Sequence, residues 1–333
     1  MLKIALIADE LTSTALRGNR YARVLPISVQ NARRVFRFSR PDLFIVESAW
    51  LGHKDTWRYQ LASYPDYPER NNTQLRVVVE MARHYGIPAV FWNREDGAHF
   101  NRFIKTAALF DHVLTVDENM LPHYKQQLPA YAKVGTLPFA ISPKLHHPGS
   151  TVFRMPRTNR SLFIGSYSQH IHERRRQWQN MLFQAATQHG RGLVIYDRNS
   201  SRKPEHYRYP DLPNLSIKPA VPYQATGKVY GRFNHCLNVN TVDDSPTMFS
   251  RRLIEIMACG TLAVTNPSLS VSRLFDGMCE VVDTQEQADH LLEQLGSGLT
   301  KHQQEMCRYA SQHVLKHYTY EIWLDKIKEF VGI

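Results

Sequence analysis

The stretch LNVNTVDDSPTMFSRRLIEIMACGTLAVT, Leu237–Thr265, decides the fold. It opens within a short apolar run of strand length, Cys236–Val239, and closes on a second, Leu262–Thr265. Between them come a polar loop and then an amphipathic run, Phe249–Ala258, that stops at Gly260. A strand, a loop, a helix and a returning strand form the βαβ unit of a parallel sheet. Within the loop, Ser245 stands as a helix cap with Pro246 at the first helical position. A helix start of that kind presents free N–H groups and a positive dipole end, which suits a diphosphate. Glu255, roughly two to three turns further on, is placed to accept hydrogen bonds from a ribose. The competing reading is an ordinary capped helix with a solvent-facing Glu.

The same alternation runs outward in both directions. Leu162–Ile164 and Leu193–Tyr196 read as strands around a long helix, His172–His189, closed by Gly190. Pro204–Pro222 is a Pro- and Tyr-rich loop about a short strand, and Tyr223–Phe233 a helix. Downstream, Val281–Val282 is a short strand, followed by helices at Gln285–Leu295 and Lys301–Tyr318 and an amphipathic tail, Glu321–Val331. The first 140 residues repeat the pattern, with strands at Ile4–Ala8, Leu43–Glu47, Pro88–Trp92, Val113–Val116 and Val134–Leu137. Helices are expected from a Ser28 cap to Phe38, from Asn72 or Thr73 to Gly86, and over His99–Leu109 and Met120–Leu128. Strands spaced by helices of this length argue for parallel sheets covered on both faces. Ala140–Arg160, with Pro143, Pro148, Gly149 and Pro156, reads as a linker. The expectation is two consecutive doubly wound α/β domains, 1–145 and 151–318. The tail 319–333 packs back on the first, and the ligand lies between the domains at the carboxyl ends of the strands.

Composition sets the outer bounds. A chain of 333 residues suits two domains at roughly 150 residues each. Its 43% hydrophobic content builds large cores and excludes intrinsic disorder. No apolar run approaches the roughly 20 residues of a membrane helix, and MLKIALIADE is too short for a signal peptide. Cys236, Cys259, Cys279 and Cys307 stand apart without a CxxC pair. That predicts a reducing cytoplasm with neither disulfide nor zinc. Of the 16 His, only His146–His147 and His170/His172 are close, and neither pair has a carboxylate or Cys at ligand spacing, so no metal site is expected. The oddity is a net charge of +11, which suits a polyanion, an anionic membrane face or a phosphorylated ligand. Two segments supply it. Arg17, Arg20, Arg23, Arg33, Arg34, Arg37 and Arg40 contribute +7, residues 151–210 contribute +8, and the remainder nets −4.

Three further motifs follow strands, where open α/β sheets place their sites. FIGSYS, residues 163–168, puts Gly165, Ser166 and Tyr167 after a strand, and His172-Glu173-Arg174-Arg175-Arg176 opens the next helix. A glycine there admits a phosphate, and Arg174 or Arg175 grips it; three adjacent Arg point in different directions, so at most two face the ligand. FWNREDGAHF, residues 91–100, places Glu95, Asp96 and His99 as candidates for a general base and a sugar-hydroxyl contact, against the reading of a loop with Asp96 as a cap. VESAW, residues 46–50, adds Glu47 as a possible base and Trp50 as a stacking platform or a core residue.

In order along the chain, ADELT, DLFIVESAW, GIPAVFWNREDGAHF, FDHVLTVDENMLPHY, LPFA, LFIGSY…ERRR, IYDRN and the opening stretch resemble the CgeB-like glycosyltransferases, from about residue 5 to 320. These are GT-B enzymes related to the glycosyl transferases group 1 class. The resemblance implies two Rossmann-like doubly wound domains facing each other across a cleft. It implies a nucleotide-diphosphate-sugar donor, with UDP-sugar foremost, on the second domain, and a glycan, lipid-linked glycan or protein acceptor on the first. By motif match, Ser245, Pro246, Thr247 and Met248 face the donor phosphates and Glu255 the ribose, with Arg251 in the same segment. Gly165, Ser166, Tyr167, Arg174 and Arg175 complete the phosphate site. Glu95, Asp96, His99 and Glu47 line the catalytic side. The donor is a substrate, with no permanently bound cofactor, and the chemistry is metal-independent because positive side chains and a helix end stabilise the leaving diphosphate.

The chain departs from the pattern twice. Relatives that retain stereochemistry carry two Glu separated by seven residues, and here Thr247 occupies the earlier position, so the resemblance assigns no stereochemical outcome. Asp96-Gly97 stands where relatives have Asp-Pro, which loosens the loop. Cytoplasmic location is expected, with peripheral association at the anionic inner membrane face as a further partner. A DNA base glycosyltransferase of the same fold, and a non-catalytic basic module for membrane or nucleic acid, are the minority readings.

Overall fold

The computed structural model describes residues 1–149 and 156–333. The expected domain start at 151 and the middle of the expected linker lie outside them. The chain forms two compact units. The first begins β1 (Leu2–Ile7), α1 (Glu10–Arg17), β2 (Ala22–Pro26) and α2 (Ala32–Arg34), which runs on into a π-helical turn, Val35–Ser39. There follow β3 (Leu43–Glu47), α3 (Thr73–His84), β4 (Ala89–Asn93), α4 (Phe100–Ala107), β5 (His112–Thr115), α5 (Leu121–Gln127) and β6 (Lys133–Thr136). All pairings are parallel, in the order β2-β1-β3-β4-β5-β6. The order reverses between β1 and β3, the switch point at which such sheets open a crevice.

The second unit comprises β7 (Ser161–Gly165), α6 (Glu173–Gln188), β8 (Leu193–Asp197), β9 (Leu215–Pro219), α7 (Thr226–Tyr230), β10 (His235–Leu237), α8 (Arg251–Ala258), β11 (Leu262–Thr265), α9 (Leu269–Leu274), β12 (Glu280–Val281), α10 (Gln285–Leu295) and α11 (Lys301–His317). Its six parallel strands run β12-β11-β10-β7-β8-β9, the dinucleotide-fold order with its switch point between β7 and β10. The final helix, α12 (Tyr320–Val331), belongs to the first unit, as do Ser245–Met248.

The central strands are apolar because helices cover both faces. All of β3 and all of β7 are buried. In the first unit Phe91 stacks on Phe110 at 5.6 Å, Phe36 meets Phe44 edge-on, and Trp57 is fully buried. In the second, Phe163 packs edge-on against Phe183 at 5.0 Å among Leu182, Ile195, Leu237 and Val264.

Three elements escape the sequence pattern, and two helix starts are corrected. β2 is an edge strand with an arginine and a terminal proline, so it shows no clean alternation. Short α1 and α9 bury few apolar groups. α2 begins at Ala32, because Ser28 Oγ caps a turn by accepting the Asn31 N–H. α8 begins at Arg251 with Ser250 at its cap position, and not at Ser245-Pro246. Residues 245–249 form a turn instead, in which Ser245 Oγ accepts the Met248 N–H at 2.9 Å. The hydroxyl thus offers the backbone a local alternative to the helix.

Candidate functional site

Parallel pairing gathers the strand ends of each sheet onto one edge. In the first unit that edge carries Glu47 at the end of β3, Asn93 at the end of β4 and Thr115 at the end of β5. Glu47 is fully buried and faces the Arg94 guanidinium at 2.5 Å. Arg94 also meets Asp9 at 2.9 Å and Glu95 at 3.6 Å. Burial by itself would lower the Arg94 pKa, but the three carboxylates outweigh it and hold the guanidinium charged. Asp9 further accepts the backbone N–H groups of Trp50, Leu51 and Gly52, tying down the loop that leaves β3. Trp50 packs edge-on against His99 at 5.4 Å and Phe103 at 5.2 Å.

Asp96 sits one layer deeper. Its carboxylate accepts from Asn93 Nδ2 at 2.7 Å and from the Tyr124 hydroxyl at 2.7 Å, and Asn93 also donates to that hydroxyl. Burial pushes the Asp96 carboxyl up to about 7, against the pull of the donors from Thr115 and Tyr124 and with help from nearby Asp117. Asp96 has no solvent exposure, whereas the Glu95 side chain keeps 23% of its surface exposed and His99 is half-buried. The four sequence-level candidates are therefore brought together but not equivalent. Glu47 neutralises Arg94, Asp96 is sealed in a hydrogen-bonded network, and Glu95 and His99 face outward. Gly97 adopts φ +82°, in the left-handed region. Proline, fixed near −65°, cannot occupy that backbone. The loop as folded here therefore requires glycine at 97 and does not admit the proline that the resemblance led one to expect.

The turn at Ser245–Met248 completes this edge. Ser245 Oγ donates to Asp117 at 2.6 Å, and Thr247 Oγ1 donates to the Val116 carbonyl while accepting the Glu118 N–H at 2.8 Å. Both hydroxyls expected to face phosphates are committed to the loop after β5.

The second unit's strand edge is dominated by guanidinium groups. A cavity of about 370 Å³ beyond β7 and β8 is lined by Ser166, Gln179, Arg175, Arg198, Arg202 and Tyr207, among others. Arg175 is held in place by donating to the Ser166 carbonyl, and burial together with the neighbouring Arg252 and Arg198 lowers its pKa to about 10. Arg252 donates to the Ile164 carbonyl and lies over the Phe163 ring at 4.6 Å. A Cβ on Gly165 would come within 2.8 Å of Arg252 Nη2 and 2.6 Å of the Phe163 ring, so glycine is required for the arginine to cross there. Arg175 Nε and Arg252 Nη1 are buried without a hydrogen-bond partner among the described residues. Like charges held together with unused donors favour the approach of an anion.

The other predicted donor residues divide. Arg174 points outward, 71% exposed, and pairs with Asp243 at 2.8 Å, while Arg176 donates to the Ser168 carbonyl. Tyr167 is a correction: its ring is buried against Tyr209 and its hydroxyl donates to Asn180, which makes it a core residue. Glu255 is buried, not solvent-facing, and is paired with Arg251 at 2.9 Å and approached by the Tyr230 hydroxyl at 3.3 Å. Sequence reasoning missed Arg252, Arg198 and Arg202. Arg252 lies in the opening stretch and Arg198 in IYDRN, directly after a strand, the position that marks Gly165. A second, more apolar cavity of about 610 Å³, lined in part by Asp243, Leu269, Phe275 and Asp276, opens beyond β10–β12. Among the described residues no group of three or more His, Cys, Asp or Glu is arranged to hold a metal ion.

Residues 174–329, which take in the larger part of the second unit together with the Ser245–Met248 turn and most of α12, match the family described as glycosyl transferase-like. The curated proteins include no sequence match. Among solved structures, an α-glucosyltransferase in complex with UDP and a 13-mer DNA containing an HMU base is similar with TM-score 0.67 at 11% identity, over 100% of both chains. HepE from Anabaena in complex with UDP-glucose gives 0.59 at 10% identity, again over 100% of both. A glycosyltransferase from Rickettsia africae gives 0.58 at 11% identity, over 99% of this chain and 97% of that one. With its two six-stranded parallel sheets, this chain has the GT-B fold of those glycosyltransferases.

Proposed function

We propose that the protein transfers a sugar from a nucleoside-diphosphate sugar, of which a UDP-sugar is the leading candidate, to a glycan, lipid-linked glycan or protein acceptor, and that it is of the CgeB-like kind. The observation that carries the reading is the cluster of Arg175, Arg198 and Arg252 around Gly165 at the carboxyl end of β7, in which Arg175 Nε and Arg252 Nη1 are buried without a hydrogen-bond partner among the described residues. In this reading the second unit holds the donor. The guanidinium groups take up the charge that grows on the departing diphosphate, the work a metal ion does elsewhere, which supports a metal-independent mechanism. Buried Glu255 accepts from the ribose. The first unit serves the acceptor, and solvent-accessible Glu95, oriented by Arg94 and adjacent to His99, removes the acceptor proton. Four buried free thiols accord with a cytoplasmic setting.

Calorimetric titration with UDP, GDP and ADP tests this. At least one should bind at micromolar to millimolar concentration, and Glu255→Gln should weaken it by about tenfold, the loss of one charged hydrogen bond. Absence of binding by any nucleoside diphosphate sinks the proposal. A second reading, a nucleic-acid acceptor, draws on one observation. Arg70 lies between Tyr59 and Tyr67 at 4.2 and 4.0 Å, and Arg102 lies over Tyr64, in and beside the loop that leaves the carboxyl end of β3. It requires duplex binding that falls steeply with salt, together with sugar transfer to the duplex.

A further inference from the structure

The arginines of the first basic segment do not all sit near the candidate site. The Leu2 N–H donates to the Tyr21 carbonyl, Lys3 Nζ donates to the Ser39 carbonyl, and the Lys3 N–H donates to Asp42. Tyr21 and Ser39 therefore flank the amino end of β1, the edge opposite Glu47, Asn93 and Asp96. Strands of five residues at about 3.3 Å each put roughly 16 Å between the two edges. Arg20, Arg23, Arg37 and Arg40 crowd this amino edge; all four are exposed, and none forms an ion pair among the described residues. Two exposed aromatic rings stand among them. Tyr21 is 52% exposed with the Arg20 guanidinium 4.7 Å from its ring, and Phe38 is 73% exposed with Arg37 at 5.3 Å. Phe38 projects from the π-helical turn, which ends on Arg40 in the left-handed conformation.

We propose that this edge docks the protein on an anionic lipid bilayer, with Phe38 and Tyr21 seated at the headgroup level and the arginines on lipid phosphates. Unpaired arginines meet the charge of an anionic leaflet. An aromatic side chain without hydrogen-bonding atoms, flanked by cations, gains by leaving water for the interface. Nucleic acid fits less well here. As an acceptor it must deliver its reacting group to the carboxyl edge, and a phosphate backbone offers no apolar layer for Phe38. Docked by this edge, the protein turns its acceptor-side loops away from the lipid and toward soluble or growing chains.

The test is co-flotation of the full chain with phosphatidylcholine vesicles and with phosphatidylcholine–phosphatidylglycerol vesicles, with duplex DNA as competitor. Binding is expected to the anionic vesicles alone and to weaken with salt. Arg20→Gln and Arg37→Gln should each lower the partition coefficient about fivefold. Phe38→Ser should lower it with unchanged salt dependence. Melting temperatures within about 2 °C of the parent and unchanged nucleotide affinity establish that the variants are folded and that the candidate site is intact. Equal binding to both vesicle types, no binding, variants that bind like the parent, or displacement by DNA at equal phosphate concentration each overturn the proposal.

Discussion

Replacing Asp96 by Asn should remove a pH dependence that belongs to a single buried carboxyl. In the unfolded chain that carboxyl titrates near 3.9; in the folded chain burial raises it to about 7. The native state thus holds the proton more tightly than the unfolded state. Its stabilising effect is complete below about pH 4, declines as pH climbs through 7, and is spent above that. The two pKa values correspond to about 4 kcal/mol over the window. Other groups titrate there too, including the depressed His146 and His235, but the variant retains them, so the difference between parent and Asp96→Asn isolates the carboxyl. The Asn amide also mispairs with the Tyr124 hydroxyl, which lowers stability by about 1–3 kcal/mol at every pH. Urea midpoints read by tryptophan fluorescence are the assay, since Trp50, Trp57, Trp92 and Trp323 all lie in the first unit. The parent's advantage should shrink steadily from pH 4 to pH 8. Curves that stay parallel across that range would refute the assignment of a raised carboxyl to Asp96.

Arg175→Ala should affect binding and stability in opposite directions: nucleoside-diphosphate affinity should fall about tenfold or more by calorimetry, while the ligand-free melting temperature holds or rises because a like-charge contact is relieved. His146 and His235 are buried with pKa values lowered to about 4, so stability should be lost as pH falls from about 6.5 through 4, by about 3 kcal/mol for each; His235→Asn should flatten part of that acid slope in urea titrations. Trp323→Ala, which empties a buried contact with Trp92 at 5.0 Å, should cost about 3–5 kcal/mol by the same unfolding assay.

The parts of the fold that could be read from the residues are those that pay for their formation in buried apolar surface. Fully buried β3 and β7 announce themselves as continuous hydrophobic runs, and α3 ends at a glycine in the left-handed conformation. β2 does not, because an edge strand is satisfied by one partner and tolerates Arg23 and Pro26. For the site, position after a strand drew attention to Glu47, Glu95, Gly165 and Arg175, which the fold places at the carboxyl edges of the two sheets or in the helix that follows. Side-chain direction was beyond reach. Ser245 looked like a helix cap, yet its partner, Asp117, lies 128 residues away. Arg252 crosses Gly165 from a helix 86 residues downstream of the strand. Such pairings follow from tertiary placement, which local periodicity does not encode.

The chain passes between its two units at three places: after Ser142, around Ser245–Met248, and before Tyr320. This bears on how such a protein can be inherited. A gene fusion joining residues 1–142 to a foreign partner would carry neither the turn that holds Asp117 nor the helix bearing Trp323. The first unit would be left with an unanswered carboxylate and an uncovered tryptophan. Exchange of the first unit by a single recombination is thus penalised at the level of folding, and change is more readily reached in loops, such as the one leaving β3, than by shuffling whole modules.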